Sequence, residues 1–328
     1  MNPLIRFSLL VLLGTSSLTK ATELEPFKVI YDQVIQTNAA GAVSYCISLQ
    51  QTLNSESAEQ RHSAFVQLVE GWASVQASYV LGGYDMDAMD YPLMVDNFHM
   101  GKEDIHESLA RLIKSDTAAT KALYKTSYKT LGALDDVMFS GPWSARRKEL
   151  ADVMAVNVCK KLALIRDGYR EHRAEFLEDP DKALSLLINA QIEDIYKTRD
   201  WRIAQISGLT KKTFGQPMPQ KQQYPYSQAS WAAIGAQMKT HHRLLAEDLQ
   251  PNMATIAHQK KAEEGMAAVQ ADLQAALLAY RETPAGHHYD TNDMIPFYQG
   301  LKDLQTTFYD QLVSRMGVTA KLIDADGD

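Results

Sequence analysis

The sequence lacks three features that would each point to a familiar class of protein. After its first residues it has no apolar run approaching the roughly 20 residues that cross a bilayer. It has no stripe of basic side chains, and its net charge is −7. It also shows no segment with the alternating pattern of a β-strand bounded by turns. We therefore expect no transmembrane segment in the mature chain, no nucleic-acid partner and an all-α fold.

The N-terminus has the pattern of a secretory signal. Met1–Arg6 carries a single positive charge, Phe7–Leu13 is a short apolar run, and small residues flank Lys20 where a signal peptidase would cleave. No cysteine stands in this region, so we expect no lipid anchor. These features predict a signal peptide over residues 1–21 and an exported chain, soluble in the periplasm or cell envelope after cleavage.

Cysteine is scarce, with only Cys46 and Cys159 in 328 residues. Both lie in apolar stretches with helical spacing, and neither has a metal-ligand spacing or an evident catalytic partner. In an oxidising compartment the two are compatible with a disulfide. They are equally compatible with two separately buried thiols, because sequence does not reveal the distance between their Cα atoms.

Helical periodicity dominates the rest of the chain. Apolar side chains recur every three or four residues in several blocks, for example Phe65, Leu68, Trp72, Val75 and Tyr79. Gly and Pro clusters separate the blocks, including Asp179-Pro180 near the middle. We predict two packed helical bundles of about four helices each, over residues 22–178 and 179–328. Two irregular segments, 82–101 and 210–225, interrupt the helices, and such loops are common places for binding residues.

Several short motifs, in order along the chain, resemble those of the imelysin-like family. The C-terminus reads Met-Gly-Val from Met316 and then Asp-Ala-Asp-Gly-Asp from Asp324, which is similar to the family's terminal Leu-Gly-Val and Asp-Gly-Asp. Residues 226–231 resemble its Arg-Ser-x-x-Ser-Leu segment, and residues 133–139 its Ala-Leu-Glu-x-Leu-Leu-Phe segment. Trp72, Gly82 and the turn at residues 90–92 fall where the family has a Trp, a Gly and a Trp-Pro turn.

The resemblance implies an exported helical protein with two bundle-like halves and a ligand cleft between them. The family is linked to iron-regulated uptake, and a metallopeptidase activity is claimed for some members. The implied ligands are iron, another divalent metal or haem, and the implied partner is an uptake protein or another envelope protein. The residues that match the family's motifs, and that we expect at the cleft, are Trp72, Thr130, Asp135, Ser227, Ser230 and Asp326.

The family's hallmark, Gly-x-His-x-x-Glu, is altered in this sequence. The matching positions hold Thr130, Gly132 and Asp135, so the imidazole is missing and the carboxylate is one methylene shorter. A glycine offers no side chain to bind a metal or move a proton. We therefore assign no catalytic residue and expect a non-catalytic binding protein. A metallopeptidase and an envelope interaction module without a small ligand remain the alternatives.

Other residues have the chemistry of metal ligands. Asp135 beside Asp136 forms a carboxylate pair, and His99, Glu103 and His106 are spaced to share one helix face, although Gly101 weakens a helix there. A polar entry to a helix explains the same spacing. The adjacent pairs His241-His242 and His287-His288 are expected in solvent. Ser227 is expected to cap a helix, with anion binding at that helix N-terminus as the functional alternative.

Overall fold

The computed structural model describes residues 22–99, 103–246 and 249–320, and no residue in these ranges forms a β-strand. The predicted all-α class is thereby confirmed. The predicted signal peptide and Asp326 lie outside the described residues. No helix in the described ranges combines the length and the hydrophobicity that crossing a membrane requires.

The first half begins with one long helix, α1, which is helical over the described residues 22–52 and contains a π-helical turn at Tyr31–Ile35. The helices that follow it are α2 Ala58–Gln76, α3 Tyr91–Val95, α4 Ile105–Ile113, α5 Ala119–Ala122, α6 Leu131–Phe139, α7 Ala145–Glu171 and α8 Arg173–Glu178.

The second half contains four longer helices and one short one: α9 Pro180–Lys197, α10 Ser230–Leu245, α11 Met253–Gln259, α12 Glu263–Glu282 and α13 Thr291–Thr307. Helices α9 and α13 each continue into a π-helical turn, at Thr198–Ala204 and Phe308–Val313 respectively.

Polar side chains define where the helices begin. Ser57 accepts a hydrogen bond from the Gln60 N–H at the start of α2, which is the bond that an N-cap residue makes. Asp179 does the same for Lys182 at the start of α9, where Pro180 occupies the first turn. Helix α2 ends at Gln76, so Tyr79 and Gly82 lie in the irregular connection that follows rather than on the helix.

Helix α1 packs between α2 and α7, and α12 packs against α13. Helix α10 lies against α2, so an element of the second half contacts the first half directly. The buried apolar side chains form one continuous cluster from Phe27 to Met316. The division into two bundles at Asp179 stays a prediction.

A disulfide joins Cys46 on α1 to Cys159 on α7, with their Cα atoms 5.5 Å apart. The sequence is compatible with a disulfide or with two separate thiols, and the structure contains the disulfide. The bond links two neighbouring helices whose cysteines are 113 positions apart in the chain.

Candidate functional site

The altered motif lies at the start of α6. Thr130 caps this helix, because its hydroxyl oxygen accepts a 3.4 Å hydrogen bond from the Ala133 N–H. The Thr130 side chain is fully buried and also donates toward Asn97 or the Ser127 carbonyl, each 3.2 Å away. A residue that the family resemblance places at the cleft therefore serves to begin a helix.

Asp135 holds the loop that precedes α10. Its Oδ2 accepts a 3.0 Å hydrogen bond from the Tyr226 N–H, and its Oδ1 accepts a 2.9 Å bond from the Ser227 N–H. Burial raises the pKa of the Asp135 carboxyl from 3.8 to about 6, although the bonds from Ser227 and Tyr226 act to lower that pKa. Both oxygens are thus occupied by backbone donors from a segment about 90 residues away.

The glycine that replaces the family histidine leaves space. A Cβ atom added to Gly132 would meet no heavy atom within 4 Å. The position is half-buried on α6, one helical turn before Asp135. Among the described residues, no other side chain therefore occupies the space of the missing imidazole.

Asp136 has different neighbours from Asp135. Its Oδ2 lies 2.7 Å from His106 Nδ1, and the same nitrogen lies 2.8 Å from the Tyr226 hydroxyl. The His106 and Tyr226 rings stack with their centroids 5.4 Å apart. Asp136 is buried and its Oδ1 has no hydrogen-bond partner in the described part of the chain. The two carboxylates expected as a pair therefore have different partners: Asp135 accepts the Tyr226 backbone N–H, whereas Asp136 connects to the Tyr226 hydroxyl through His106.

A cavity of about 600 Å³ lies between the connection after α2 and helix α9 with its π-helical turn. One wall comes from residues 76–98 and the other from residues 186–202. The lining is largely apolar and consists of Gln76, Tyr79, Val80, Gly82, Gly83, Met89, Pro92, Leu93, Asp96, Phe98, Leu186, Ala190, Glu193, Asp194, Lys197, Trp201 and Arg202. Seven residues of the segment 82–101 thus line a ligand-sized cavity. The segment was predicted to be irregular, but its residues Tyr91–Val95 form helix α3.

A chain of hydrogen bonds connects this cavity to the Asp135 loop. Asp96 Oδ2 accepts from the Gln223 amide at 2.6 Å and from the Tyr224 hydroxyl. The Tyr224 N–H in turn donates to Ser230 Oγ at 2.8 Å. Gln223 also accepts a 2.9 Å bond from Arg202 Nε on the cavity wall. The loop that Asp135 holds is therefore the loop that supports the polar end of the cavity.

Of the residues that the resemblance placed at the cleft, the five that the structure describes do not line this cavity. Trp72 is fully buried in the core on α2. Ser227 does not cap α10, which begins three residues later, so that prediction was wrong. The Tyr226 and Ser227 N–H groups, which precede the helix, donate to Asp135 of the chain itself rather than to an anionic ligand. Ser230 serves the cavity indirectly through Tyr224.

The histidine and glutamate candidates for a metal site are not brought together. His99 contacts Gln205 at 2.7 Å and stacks on Trp201, whereas Glu103 accepts from Lys125 and Tyr128. His106 pairs with Asp136 as described. Each of the three residues thus has a different partner, so the structure gives no common face.

Two histidines also depart from their expected exposure. His241 is buried and its Nε2 lies 2.9 Å from Asp194 Oδ2, because α10 packs this face inward. His288 stacks on Trp231 with centroids 4.4 Å apart. His287, by contrast, lies at the surface with Asp290 and Asp293, and among the described residues these three form the group with metal-ligand proximity.

Arg202 is the residue that the sequence analysis missed. It lies in the π-helical turn after α9, it is 6% exposed, and no motif marks it. The adjacent Trp201 was visible only as one of many aromatic side chains. Both residues lie in the π-helical turn, and such turns concentrate at functional sites. The spacing of residues in the sequence does not reveal a π-helical turn, so only the structure points to Trp201 and Arg202.

The fold and the altered motif define a helical protein of the imelysin type. The imelysin family, classed as peptidase M75, matches residues 30–315, and the chain belongs to this family. A crystal structure of an imelysin-like protein from Psychrobacter arcticum is similar, with a TM-score of 0.74 and 14% identity, over 92% of this chain and 98% of that one.

A second solved structure is similar at lower identity. It is a candidate iron-regulated protein A precursor from Parabacteroides distasonis, with a TM-score of 0.69 and 10% identity, over 88% of this chain and 94% of that one. No curated protein matches the sequence. At these identities the two structures establish the shared fold.

Proposed function

We propose that this chain is an exported, non-catalytic binding protein of the cell envelope that serves iron or haem acquisition and takes its ligand in the cavity beside α9. The proposal rests on one observation, that the altered motif holds a glycine and a carboxylate already bound to backbone groups. Gly132 supplies no ligand, and both oxygens of Asp135 accept backbone N–H groups. The N-terminal signal pattern and the iron-regulated precursor among the structural neighbours support export and the link to iron.

A metallopeptidase would need a metal with an open coordination position and a base that activates water. Asp135 is fully buried, and each of its oxygens already accepts a backbone N–H group. Movement of the carboxylate toward a metal or a water would weaken these bonds, and leaving both N–H groups unpaired would cost about 1–3 kcal/mol for each. The geometry therefore favours a structural role for the carboxylate over a catalytic one.

The cavity favours haem or a similar organic ligand over a bare iron ion. Its buried carboxylates already have partners: Asp96 accepts from Gln223 and Tyr224, and Asp194 contacts His241 and Gln237. A hard cation prefers a set of free oxygen ligands. A largely apolar cavity of about 600 Å³ instead has the size and lining typical of sites for small organic molecules.

The interaction module without a small ligand is less well supported because a ligand-sized cavity is present. A protein partner in the envelope remains compatible with binding, since delivery of a ligand requires a donor or an acceptor. The apolar side chain of Met89 lines the cavity and is exposed, and such a partner would meet the ligand there.

The test uses the purified mature chain from residue 22. Titration with haemin, followed by absorbance, is expected to show saturable binding with one haem per chain. Elemental analysis is expected to show no stoichiometric metal, and casein incubation no cleavage that a chelator blocks. Chelator-sensitive cleavage by the wild-type chain, or failure to bind haemin together with stoichiometric iron, would overturn the proposal.

A further inference from the structure

No carboxylate among the described residues pairs with the guanidinium group of Arg202 on the cavity wall. Its Nε donates to Gln223 at 2.9 Å, its Nη2 makes a long 3.5 Å contact with Gln76, and its Nη1 has no hydrogen-bond partner within the described ranges. The side chain is 6% exposed. A buried charge without a counter-charge is costly, so buried arginines are normally paired with carboxylates.

The carboxylates nearest in the network do not fill this role. Gln223 stands between Arg202 and Asp96: its amide oxygen accepts from the guanidinium, while its amide nitrogen donates to the carboxylate. The second buried acid on the cavity wall, Asp194, is held by His241 and Gln237. The arrangement keeps both acids occupied and leaves the arginine available to an anion that comes from outside the chain.

The remainder of the cavity is suited to an apolar body. Leu93 lines one wall, and Leu186 and Trp201 line the other. His99 stacks on Trp201 with ring centroids 4.4 Å apart and planes 7° from parallel, which holds the indole in a fixed orientation. Lys197 Nζ lies 5.5 Å from the centre of the same indole ring. Lys197 pairs with Glu193, so Arg202 is the cation of the cavity that has no carboxylate partner among the described residues, and the leucine and indole side chains offer apolar contact.

We infer that the cavity selects amphipathic organic anions, with Arg202 receiving the carboxylate of a ligand whose apolar body packs on Leu93, Leu186 and Trp201. The inference rests on the proposed binding function and specifies its ligand class. Haem, with its propionates, belongs to this class, and so do fatty and aromatic carboxylic acids. Their shared chemistry is a carboxylate at one end of an apolar molecule of at most a few hundred cubic ångströms.

Two fluorescent probes with the same aromatic skeleton test the role of charge. Anilinonaphthalene sulfonate carries an anionic group, and phenylnaphthylamine lacks it. Fluorescence titration of the mature chain is expected to show the anionic probe binding at least about ten-fold more tightly, because an anion relieves the unpaired buried charge. Haemin and dodecanoic acid are expected to displace the anionic probe.

Variants then locate the charge. Arg202→Met is expected to weaken binding of the anionic probe at least about ten-fold and to change binding of the neutral probe less than about two-fold. Arg202→Lys is expected to retain most of the preference for the anion. Arg199→Met is the matched control, because it removes a cation of the same π-helical turn that does not line the cavity and that pairs with Asp200, and it is expected to change either affinity less than about two-fold. Thermal melts establish that each variant is folded.

The outcomes separate this inference from the proposed function. If both probes bind equally and Arg202→Met alters neither, the inference is overturned, while ligand binding in the cavity stands. Equal losses of anion affinity in Arg199→Met and Arg202→Met would also overturn it, because the charge effect would then be non-local. If neither probe, haemin nor dodecanoic acid binds the wild-type chain, the proposed function fails as well.

Discussion

Asp135 and Asp136 are neighbours on α6 with the same side chain, yet their surroundings differ. Asp135 is fully buried and accepts two backbone N–H groups, whereas Asp136 pairs with the half-exposed His106. The first is a structural acid that holds the loop before α10. The second joins a small aromatic cluster with Tyr226. This contrast shows that the position of a residue in a family motif does not by itself define its role.

Removing the Asp135 side chain is expected to destabilise the fold. Asp135→Ala leaves two buried N–H groups unpaired, which costs about 1–3 kcal/mol for each such group, partly offset by removal of a buried charge. Urea denaturation at neutral pH measures the change in the free energy of unfolding. Asp152→Ala is the control, since this acid makes only a surface pair with Lys148 and is expected to change stability by less than about 1 kcal/mol. Equal stability of both variants would contradict the assigned role.

The raised pKa of Asp135 predicts a pH dependence. The folded chain holds a proton at this site between pH 3.8, its ordinary pKa, and about 6, its pKa in the fold. The folded state therefore binds more protons than the unfolded state in this window, and stability falls as the pH rises through it. A shift of this size corresponds to about 3 kcal/mol.

The measurement compares the wild type with Asp135→Asn, which does not titrate. The stability advantage of the wild type over this variant is expected to be largest below pH 4 and to decline by up to about 3 kcal/mol by pH 7. A constant difference across this range would show that burial does not raise the pKa of Asp135.

At the scale of the helix, α9 illustrates how an element positions the candidate site. The helix runs regularly to Lys197 and then widens into a π-helical turn at Thr198–Ala204. This turn includes Trp201 and Arg202, the aromatic and cationic residues of the cavity wall. A local change in helical geometry thus places two side chains of different chemistry at one end of a binding cavity.

Two helical glycines give opposite predictions. Gly132→Ala on α6 is expected to stabilise the chain by about 0.5–1 kcal/mol, because alanine favours helix and the added Cβ meets open space. Gly265→Ala on α12 is expected to destabilise it, because the added Cβ would clash with the Gln311 backbone carbonyl. Thermal denaturation of both variants provides the comparison, and destabilisation by Gly132→Ala would show that the space at the altered motif is filled.

At the scale of the whole molecule, the chain is held by links between distant segments. Helix α10 packs on α2, the Tyr31 hydroxyl donates to the Tyr169 carbonyl at 2.5 Å, and the disulfide joins α1 to α7. The buried apolar cluster runs through both halves. Tertiary contacts of this kind, rather than helix propensity, supply most of the stability of such helices.

Loss of the disulfide is expected to lower the free energy of unfolding by about 2–5 kcal/mol, because the bridge closes a long loop and restricts the unfolded chain. Chemical denaturation of the oxidised protein and of the Cys46→Ser, Cys159→Ser double variant measures this difference. Reductant is expected to destabilise the wild type but not the double variant. A wild type that is insensitive to reductant after unfolding and refolding would show that the bridge contributes nothing.

The sequence alone determined the helical class, several helix starts and the alteration of the family motif. These are local properties: the 3.6-residue periodicity, a capping side chain such as Ser57 and the identity of Gly132 can all be read within a few neighbouring positions. The irregular segment 82–101 was recognisable as a candidate binding loop for the same reason.

Only the tertiary structure decided what the candidate residues do. Asp135 binds N–H groups 91 and 92 positions away, Asp96 meets Tyr224 128 positions away, and Arg202 owes its lack of a counter-charge to the side chains packed around it. Such contacts depend on which distant helices pack together. The spacing of apolar residues shows which face of a helix is buried, but it does not show which helix lies against that face. The role of a buried charge is set by its neighbours in space, because they determine whether that charge is compensated.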